Sequence, residues 1–586
     1  MLPIAAVQLW EDLGQQLEKT LATYLDACIT LETLNLNGSS AVNDLFVRIH
    51  QRLASFHFLL SRPLALSRSS ITRARNNLIA PACRLPDEIL SEILSLTLYS
   101  ITINEPRQLP YKDAVRLHYQ RLHSFLGVCS TWRRVAIASG RFWSLVPLIE
   151  NLSNRLVLNA ARLSIERASN HRLCLAAQLG KFRPDIQDFI GTTFSQQGPR
   201  FHSINLYSES VKPIRQALAL IVNTDQNRPI ESLSLYRANS IDGIINPPPG
   251  QLELVKLFPG RPSSSKIFKI FTQSLRVLRV CGMSFPFEGV PLSSLTELRL
   301  QNLSLGENYA LPIFLQGLGS AYQLRTLELI TVLTNPDGGG LFNDIEVIIP
   351  NLKHLYLEDL NHDSLKFILR SVTPGSHTVT VNWTYRCWTV QEVNGSVSHP
   401  PQSLEVSHLK IDTLMLRNRT GSELSSQLIQ SILEAMPSIT TLYLDSFRLD
   451  LESLYGLISA RIQTAQHPTM GIQELGIDPP RFPELKNLYI SRSHCHDEEL
   501  EVLDCLPRIA INHPLQELGI GIGVECNCGG SYIGTPSPRG DLELKMGMIW
   551  SSLENLVPRV IRLAEKASEM PPITELESHI WSLCDY

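Results

Sequence analysis

Hydrophobic residues recur through most of the chain in a short pattern, L-x-x-L-x-L, that is typical of a buried β-strand. Copies that start at positions 295, 324 and 352, at 411 and 439, and at 485 and 515 follow one another at a period of about 29 residues. About two such units separate the copies at 352 and 411. The pattern is formed by Phe201-Ile204-Leu206, Ile230-Leu233-Leu235, Leu275-Leu278-Val280, Leu295-Leu298-Leu300, Leu324-Leu327-Leu329, Leu352-Leu355-Leu357, Ile411-Leu414-Leu416, Ile439-Leu442-Leu444, Leu485-Leu488-Ile490 and Leu515-Leu518-Ile520.

The segments between these strands carry helical patterns, such as Leu424, Leu428, Ile429, Ile432 and Leu433. Strand–helix–strand units at a fixed period predict an α/β solenoid with parallel strands on a concave face and helices outside. A non-repetitive α/β domain is the alternative. Residues 374–406 predict an inserted β-rich excursion, and Gly519, Gly521 and Gly523 predict a turn-rich loop.

The amino-terminal part of the chain predicts helices. Leu45, Ile49, Leu53, Phe56 and Leu60 recur at helical spacing within a lead segment, residues 1–80, which serves either a coiled-coil contact or packing on the adjoining helices. Leu85-Pro86-Asp87-Glu88 predicts a helix start, because proline suits the first helical position and acidic residues favour the positive end of the helix dipole. A second helical pattern, from Leu122 to Ala136, ends at Gly140.

Leu85-Pro86-x-Glu88-Ile89-Leu90-x-x-Ile93-Leu94, then Val128-Cys129-x-x-Trp132-Arg133-x-x-Ala136, then Trp143 resemble the F-box, a three-helix domain. Residues 99–116 lengthen the connection between its two helical halves. The resemblance implies docking on a Skp-family adaptor and, through it, on a cullin. The implied adaptor contacts are Leu85, Pro86, Ile89, Leu90, Ile93, Val128, Cys129, Trp132 and Trp143. An ordinary helical hairpin with a buried stripe is the alternative.

The repeats resemble leucine-rich repeats, whose period is ~20–29 residues. They depart from that consensus three positions beyond the last strand leucine, where Leu303, Val332, Leu360, Arg419 and Phe447 replace asparagine or cysteine. The middle residue of each L-x-L faces away from the core, so the concave face is predicted to carry candidate target contacts at Arg279, Arg299, Glu328, Tyr356, Tyr443 and Tyr489. Tyrosine and arginine are frequent at binding hot spots, although tyrosine also favours strands in general.

Composition excludes several classes of protein. The 52 basic and 56 acidic residues give a net charge of −4, so the composition lacks the excess of basic residues typical of nucleic-acid-binding proteins. No apolar stretch reaches the ~20 residues of a membrane span, and no basic signal segment opens the chain. Eleven scattered cysteines do not form a disulfide framework, which predicts a cytoplasmic or nuclear location.

Catalytic and cofactor motifs do not occur in the sequence. The cluster His494-Cys495-His496 with Cys526 and Cys528 lacks the paired spacing of a structural zinc site. We therefore expect no metal, no cofactor and no enzyme activity in the chain itself.

These patterns divide the chain into a helical lead (1–80), an F-box domain (81–150), an irregular leucine-rich-repeat-like solenoid (151–540) and a C-terminal helical cap (541–586). The resemblance implies the substrate-recognition subunit of an SCF-type (Skp–cullin–F-box) ubiquitin ligase, which holds an unknown target protein on the solenoid. A cullin-independent repeat scaffold for protein–protein interaction is the alternative.

Overall fold

A computed structural model gives the structure of the protein. The structure describes residues 4–33, 41–79, 81–99, 111–149, 154–180, 183–222, 230–238, 255–258, 269, 272–285, 290, 292–335, 345–372, 375–384, 387, 390–391, 397–398, 410–417, 429, 432–434, 436–449, 451, 454–458, 483–525 and 538–563. The long connection predicted at 99–116 lies outside this range at residues 100–110. Cys526 and Cys528 lie outside it as well.

Contacts divide the chain into two units, residues 1–90 with 129–131, and residues 91–128 with 132–586. The helices that precede the first strand are α1 (Ile4–Glu32), α2 (Ala41–Ile79), α3 (Asp87–Tyr99), α4 (Tyr111–Val128) and α5 (Ser130–Ala138). Helices α1 and α2 expose large apolar side chains, among them Leu9, Trp10 and Phe46. No helix in the described part of the chain combines the length and the hydrophobicity needed to cross a membrane.

The second unit contains a sheet of fourteen described strands, all parallel, whose order in the sheet is their order in the sequence. Its strands are β1 (Leu145–Ile149), β2 (Leu173–Gln178), β3 (Phe201–Ser208), β4 (Ser232–Arg237), β5 (Val277–Cys281), β6 (Glu297–Glu307), β7 (Thr326–Asn335), β8 (His354–Glu358), β9 (Thr378–Trp383), β12 (Thr413–Arg417), β13 (Thr441–Asp445), β14 (Asn487–His496), β15 (Glu517–Glu525) and β16 (Arg559–Arg562). Strands β10 (Val390–Gln391) and β11 (Val397–Ser398) form a separate antiparallel pair.

Helices occupy several of the connections between the strands. They are α6 (Asn154–Arg167), α7 (Pro184–Gln197), α8 (Val211–Val222), α9 (Ala310–Leu318), α10 (His362–Ser371), α11 (Cys505–Asn512) and α12 (Pro538–Leu556). Crossovers between parallel strands are right-handed in nearly all proteins, so an uninterrupted strand order places the described connecting helices on one face of the sheet. We call the opposite face, which carries Asn205, Ser234, Arg279, Arg299 and Glu328, the open face.

The repeated leucines build the core beneath the sheet. Leu278, Leu298, Leu327, Leu355, Leu442 and Leu488 are at most 2% exposed, as expected where alternate residues of a strand point to opposite faces. The predicted α/β class and the parallel strands are therefore confirmed.

A left-handed residue recurs at the same repeat position, two residues beyond the last leucine of the L-x-L pattern. Gly282, Asn302, Thr331, Asp359, Ser446 and Arg492 all have positive φ between 49° and 73°. The next residue then turns inward, and the replaced asparagine positions Leu303, Val332, Leu360 and Phe447 are buried. Backbone pairing resumes after the kink, for example between Leu303 and Val332. This continued ladder satisfies backbone groups that an asparagine would otherwise bond.

Three local expectations were wrong. Residues 378–383, expected within an inserted excursion, form β9, a regular member of the sheet. Gly519, Gly521 and Gly523, expected in a loop, lie in β15. Glycine makes room there, because a Cβ at 519 would lie 2.6 Å from the Tyr489 ring. Ile561, expected in the terminal helix, belongs to strand β16.

Candidate functional site

The residues predicted to contact the adaptor differ widely in exposure. Pro86, Ile89, Ile93 and Val128 are exposed, Leu85, Cys129 and Trp132 are half-buried, and Leu90 and Trp143 are buried. The sequence alone could not separate the members that pack internally from those that face solvent.

Helix α3 carries two apolar stripes. Leu90, Leu94 and Leu98, four residues apart, are at most 3% exposed. On the other side Ile89, Ile93 and Leu96 are 50%, 42% and 65% exposed, at positions i, i+4 and i+7 of one helical face. Leu96 was missed by the sequence analysis, although its spacing from Ile89 could have revealed it.

Arg141 ties helix α3 to the turn that precedes the sheet. Its guanidinium Nη2 donates to the Ser91 carbonyl at 2.8 Å and pairs with Glu92 Oε2 at 2.9 Å. The Tyr99 hydroxyl donates to the carbonyl of Arg141 at 3.1 Å. These bonds hold the part of α3 that carries Ile93 and Leu96 in a fixed orientation.

Trp143 is an internal packing residue. Its indole N–H donates to the Ala136 carbonyl at 2.9 Å, and the Arg167 guanidinium lies 4.3 Å from its ring centroid. Trp132 has a different environment, because it packs edge-on against Phe125 with 6.2 Å between ring centroids.

Helix α4 covers the first strands of the open face. Val115 packs with Leu145, Ile149, Cys174 and Ala176 of β1 and β2. The Tyr119 hydroxyl donates to the carbonyl of Leu145. This end of the open face is therefore closed by the helix.

His118, also on α4, is buried between aromatic rings. The Tyr99 and Tyr119 ring centroids lie 5.6 and 5.3 Å from its own. Burial lowers the pKa of its imidazole to about 4, although a backbone hydrogen bond with Phe142 opposes the shift. The side chain is therefore neutral at neutral pH.

Beyond α4, strand register brings four of the predicted target contacts into one row. Arg279 pairs with Arg299, Arg299 with Glu328, and Glu328 with Tyr356 on successive strands. Tyr443 pairs with Tyr489 in the same way. The two groups are offset along the strands. Tyr356 aligns with Thr380 and, through it, with Thr413 of β12. Tyr443 instead pairs with Met415, two residues further along β12.

The charged members of this row are engaged with their neighbours. Arg279 pairs with Glu297 at 2.6 Å, and Arg299 with Glu328 at 3.5 Å. Burial raises the pKa of the Glu328 carboxyl, an effect that Arg299 opposes and Glu297 reinforces. The Tyr356 hydroxyl donates to Glu358 at 2.8 Å.

The carboxyl-terminal half of the open face is filled by its own side chains. Asp445, fully buried, accepts from the Nε atoms of Arg417 and Arg492, each at 2.9 Å. These guanidiniums hold the pKa of Asp445 below its usual range against the opposing effect of burial. The Tyr443 and Tyr489 rings stack with centroids 4.4 Å apart.

The amino-terminal half holds a cavity of about 360 Å³ that the sequence analysis did not anticipate. Its lining consists of Cys174, His202, Ser203, Glu231, Ser232, Arg276, Val277, Thr296, Glu297, Arg325 and Thr326. Arg276 and Arg325 occupy the same repeat position, directly after the first leucine of the pattern. That recurrence was the available signal in the sequence, whereas the residue between the strand leucines was the one predicted to face a ligand.

Among the described residues, no group of three or more His, Cys, Asp or Glu is arranged to hold a metal ion. Cys387 is buried, and burial raises the pKa of its thiol to about 12, so the thiol stays protonated at neutral pH. Neither a protein-family model nor a curated protein matches the chain.

Proposed function

We propose that this chain is the substrate-recognition subunit of an SCF-type ubiquitin ligase. In this proposal residues 85–143 act as an F-box that docks on a Skp-family adaptor, and the open face of the sheet binds the target protein. The observation that carries the proposal is the exposed stripe of Ile89, Ile93 and Leu96 on a helix whose other apolar stripe is buried.

Burial of the exposed stripe of α3 would contribute to the free energy of binding a partner. Burying one large apolar side chain contributes ~1.5–3 kcal/mol. Because Ile89, Ile93 and Leu96 are 50%, 42% and 65% exposed, burying their remaining surface contributes ~2–5 kcal/mol in total towards the ~8 kcal/mol that corresponds to a micromolar complex. Because Arg141 fixes the helix through Ser91 and Glu92, little ordering cost opposes binding.

The sheet supports the second half of the proposal. We take it to be an irregular leucine-rich-repeat solenoid, since its strands run parallel in sequence order with a recurrent spacing of about 29 residues. The chain would do no chemistry itself. Holding the target beside a ubiquitin-charged enzyme makes the transfer effectively intramolecular, with local concentrations on the order of millimolar for short tethers.

Co-purification with a Skp-family adaptor tests the proposal. The variant Ile93→Glu/Leu96→Glu puts charge into the exposed stripe without touching the buried one, and we expect it to lose the adaptor. The matched control Ile313→Glu/Ile511→Glu places the same charges on exposed isoleucines of α9 and α11, and it should bind as the wild type does.

Two results would overturn the proposal. One is a wild-type chain that does not bind the adaptor, and the other is an Ile93→Glu/Leu96→Glu variant that binds as well as the control. A chain that binds the adaptor but recruits no cullin to the complex would instead be the cullin-independent scaffold.

A further inference from the structure

The cavity on the amino-terminal half of the open face has a positive charge excess. Its two acidic residues are neutralised by arginines outside its lining: Arg172 pairs with Glu231 at 2.9 Å, and Arg279 with Glu297 at 2.6 Å. Arg276 and Arg325 are exposed, and within the described part of the chain their guanidiniums have no ion-pair or hydrogen-bond partner. Two cations therefore remain available to a ligand.

The backbone holds both arginines in fixed positions. The carbonyl of Arg276 accepts the N–H groups of Thr296 and Glu297, at 2.7 and 3.0 Å. The carbonyl of Arg325 accepts those of Lys353 and His354 in the same way, at 2.8 and 3.0 Å. Each arginine is thus clamped to the next unit, so a ligand need order only the side chains.

The separation of the two arginines defines a ligand spacing. Strands β5 and β7, which they precede, are two steps apart in the sheet, and each step is ~4.8 Å, so their backbones lie ~10 Å apart. A peptide in the extended polyproline II conformation advances ~3.1 Å per residue with three residues per turn, so side chains three positions apart lie on the same side and ~9 Å apart. Acidic residues three positions apart in such a peptide therefore match the two guanidiniums.

The floor of the cavity suits a peptide. Ser203, Ser232, Thr296 and Thr326 line it with hydroxyls, which can donate to or accept from peptide groups. Their small side chains leave the volume open.

We propose that this cavity binds an extended acidic peptide segment of a protein, with two carboxylates three residues apart held by Arg276 and Arg325. The inference rests on the proposed function in taking the open face as the target-binding surface. It adds the chemical class of the target segment and the two residues that select it.

Fluorescence anisotropy tests this with the full chain and a labelled peptide, Ser-Glu-Ser-Ser-Glu-Ser, against the same peptide with glutamine for glutamate. We expect the acidic peptide to bind and the glutamine peptide to bind at least about tenfold more weakly, since charge-assisted hydrogen bonds would be lost. Raising the salt from about 50 mM to about 200 mM should weaken the acidic peptide further.

The variant Arg276→Gln/Arg325→Gln should lose at least about tenfold in affinity for the acidic peptide. The matched control Arg155→Gln/Lys212→Gln removes two exposed cations from α6 and α8, outside the cavity lining. It has the same net charge and should change the affinity less than about twofold.

The inference is overturned if the acidic peptide does not bind the wild type, or if the cavity variant and its control bind it equally. Adaptor binding serves as the independent readout, because it uses α3 and not the cavity. A chain that binds the adaptor but not the peptide refutes only this inference. A chain that binds the peptide but not the adaptor refutes only the proposed ligase role.

Discussion

The two halves of the open face share the same ladder of parallel strands but differ in whether their side chains fill the surface completely. In the carboxyl-terminal half, acids and bases on neighbouring strands pair with one another, and Asp445 is fully buried between Arg417 and Arg492. In the amino-terminal half, the small side chains of serines and threonines leave space for a cavity, which Arg276 and Arg325 also line. A regular strand ladder thus fixes where side chains stand, while their size and pairing decide whether the surface is free for a ligand.

The largest effect should come from opening the filled half at Asp445. Asp445→Ala leaves the buried guanidinium of Arg417 and the half-buried one of Arg492 without their carboxylate, and removing one partner of a buried pair costs ~3–5 kcal/mol of unfolding free energy. The control Glu554→Ala removes an exposed carboxylate 4.0 Å from Arg562 and should cost less than ~1 kcal/mol. Urea unfolding measures both. Equal, small losses would contradict a buried, energetically coupled network.

The closed amino end of the open face should respond to pH through His118, which is 8% exposed. Its pKa is about 4 in the folded state and 6.5 in the unfolded chain, so the unfolded state takes up the proton first as pH falls. The contribution of neutral His118 to the free energy of unfolding is fully present above about pH 6.5. It should decrease by up to ~3 kcal/mol as the pH falls to about 4.

Unfolding free energies measured between pH 7 and pH 4 test this, with His118→Gln as the variant. That variant should lose this part of the pH dependence. The control His123→Gln, at an exposed position of the same helix, should keep it. Identical pH profiles for the two variants would show that His118 is not the responsible group.

The smallest effect on stability should come from replacing glycines with alanine. Its sign should differ between two sites. Gly519→Ala puts a methyl 2.6 Å from a ring atom of Tyr489, and such overpacking costs ~1–3 kcal/mol. Gly317→Ala in helix α9 meets nothing within 4 Å and should stabilise the protein by ~0.5–1 kcal/mol. Thermal unfolding midpoints should therefore shift in opposite directions. A Gly519→Ala midpoint at or above the wild-type value would mean that the tyrosine stack does not depend on this glycine.

Much of the fold was predictable from the sequence because the repeated leucines act locally. Each L-x-L fixes one strand and the direction of its side chains, so the parallel sheet and the shared face of Arg279, Arg299 and Glu328 followed from spacing alone. Strands β1, β2, β9 and β16 were missed as members of the ladder, since their sequences do not match the full pattern. The buried strands β1 and β2 are hydrophobic almost throughout, as in parallel sheets, rather than alternating.

The candidate site was less predictable, because it depends on neighbours that are distant in sequence. Ile89 and Leu90 look alike in the sequence, yet one is half exposed and the other buried. Likewise Arg279 and Arg276 are three residues apart and equally charged, but among the described residues only Arg279 forms an ion pair with a carboxylate.

By itself the sequence determined the period of the strands, the face on which each residue stands and the helical character of the segments before the sheet, because these follow from local hydrophobic spacing. The tertiary structure alone decided which apolar residues of α3 remain exposed, which charges neutralise one another and where a cavity opens. Burial and ion pairing depend on residues brought together from separate repeats, as Asp445 and Arg492 are, and local hydrophobic spacing does not predict them.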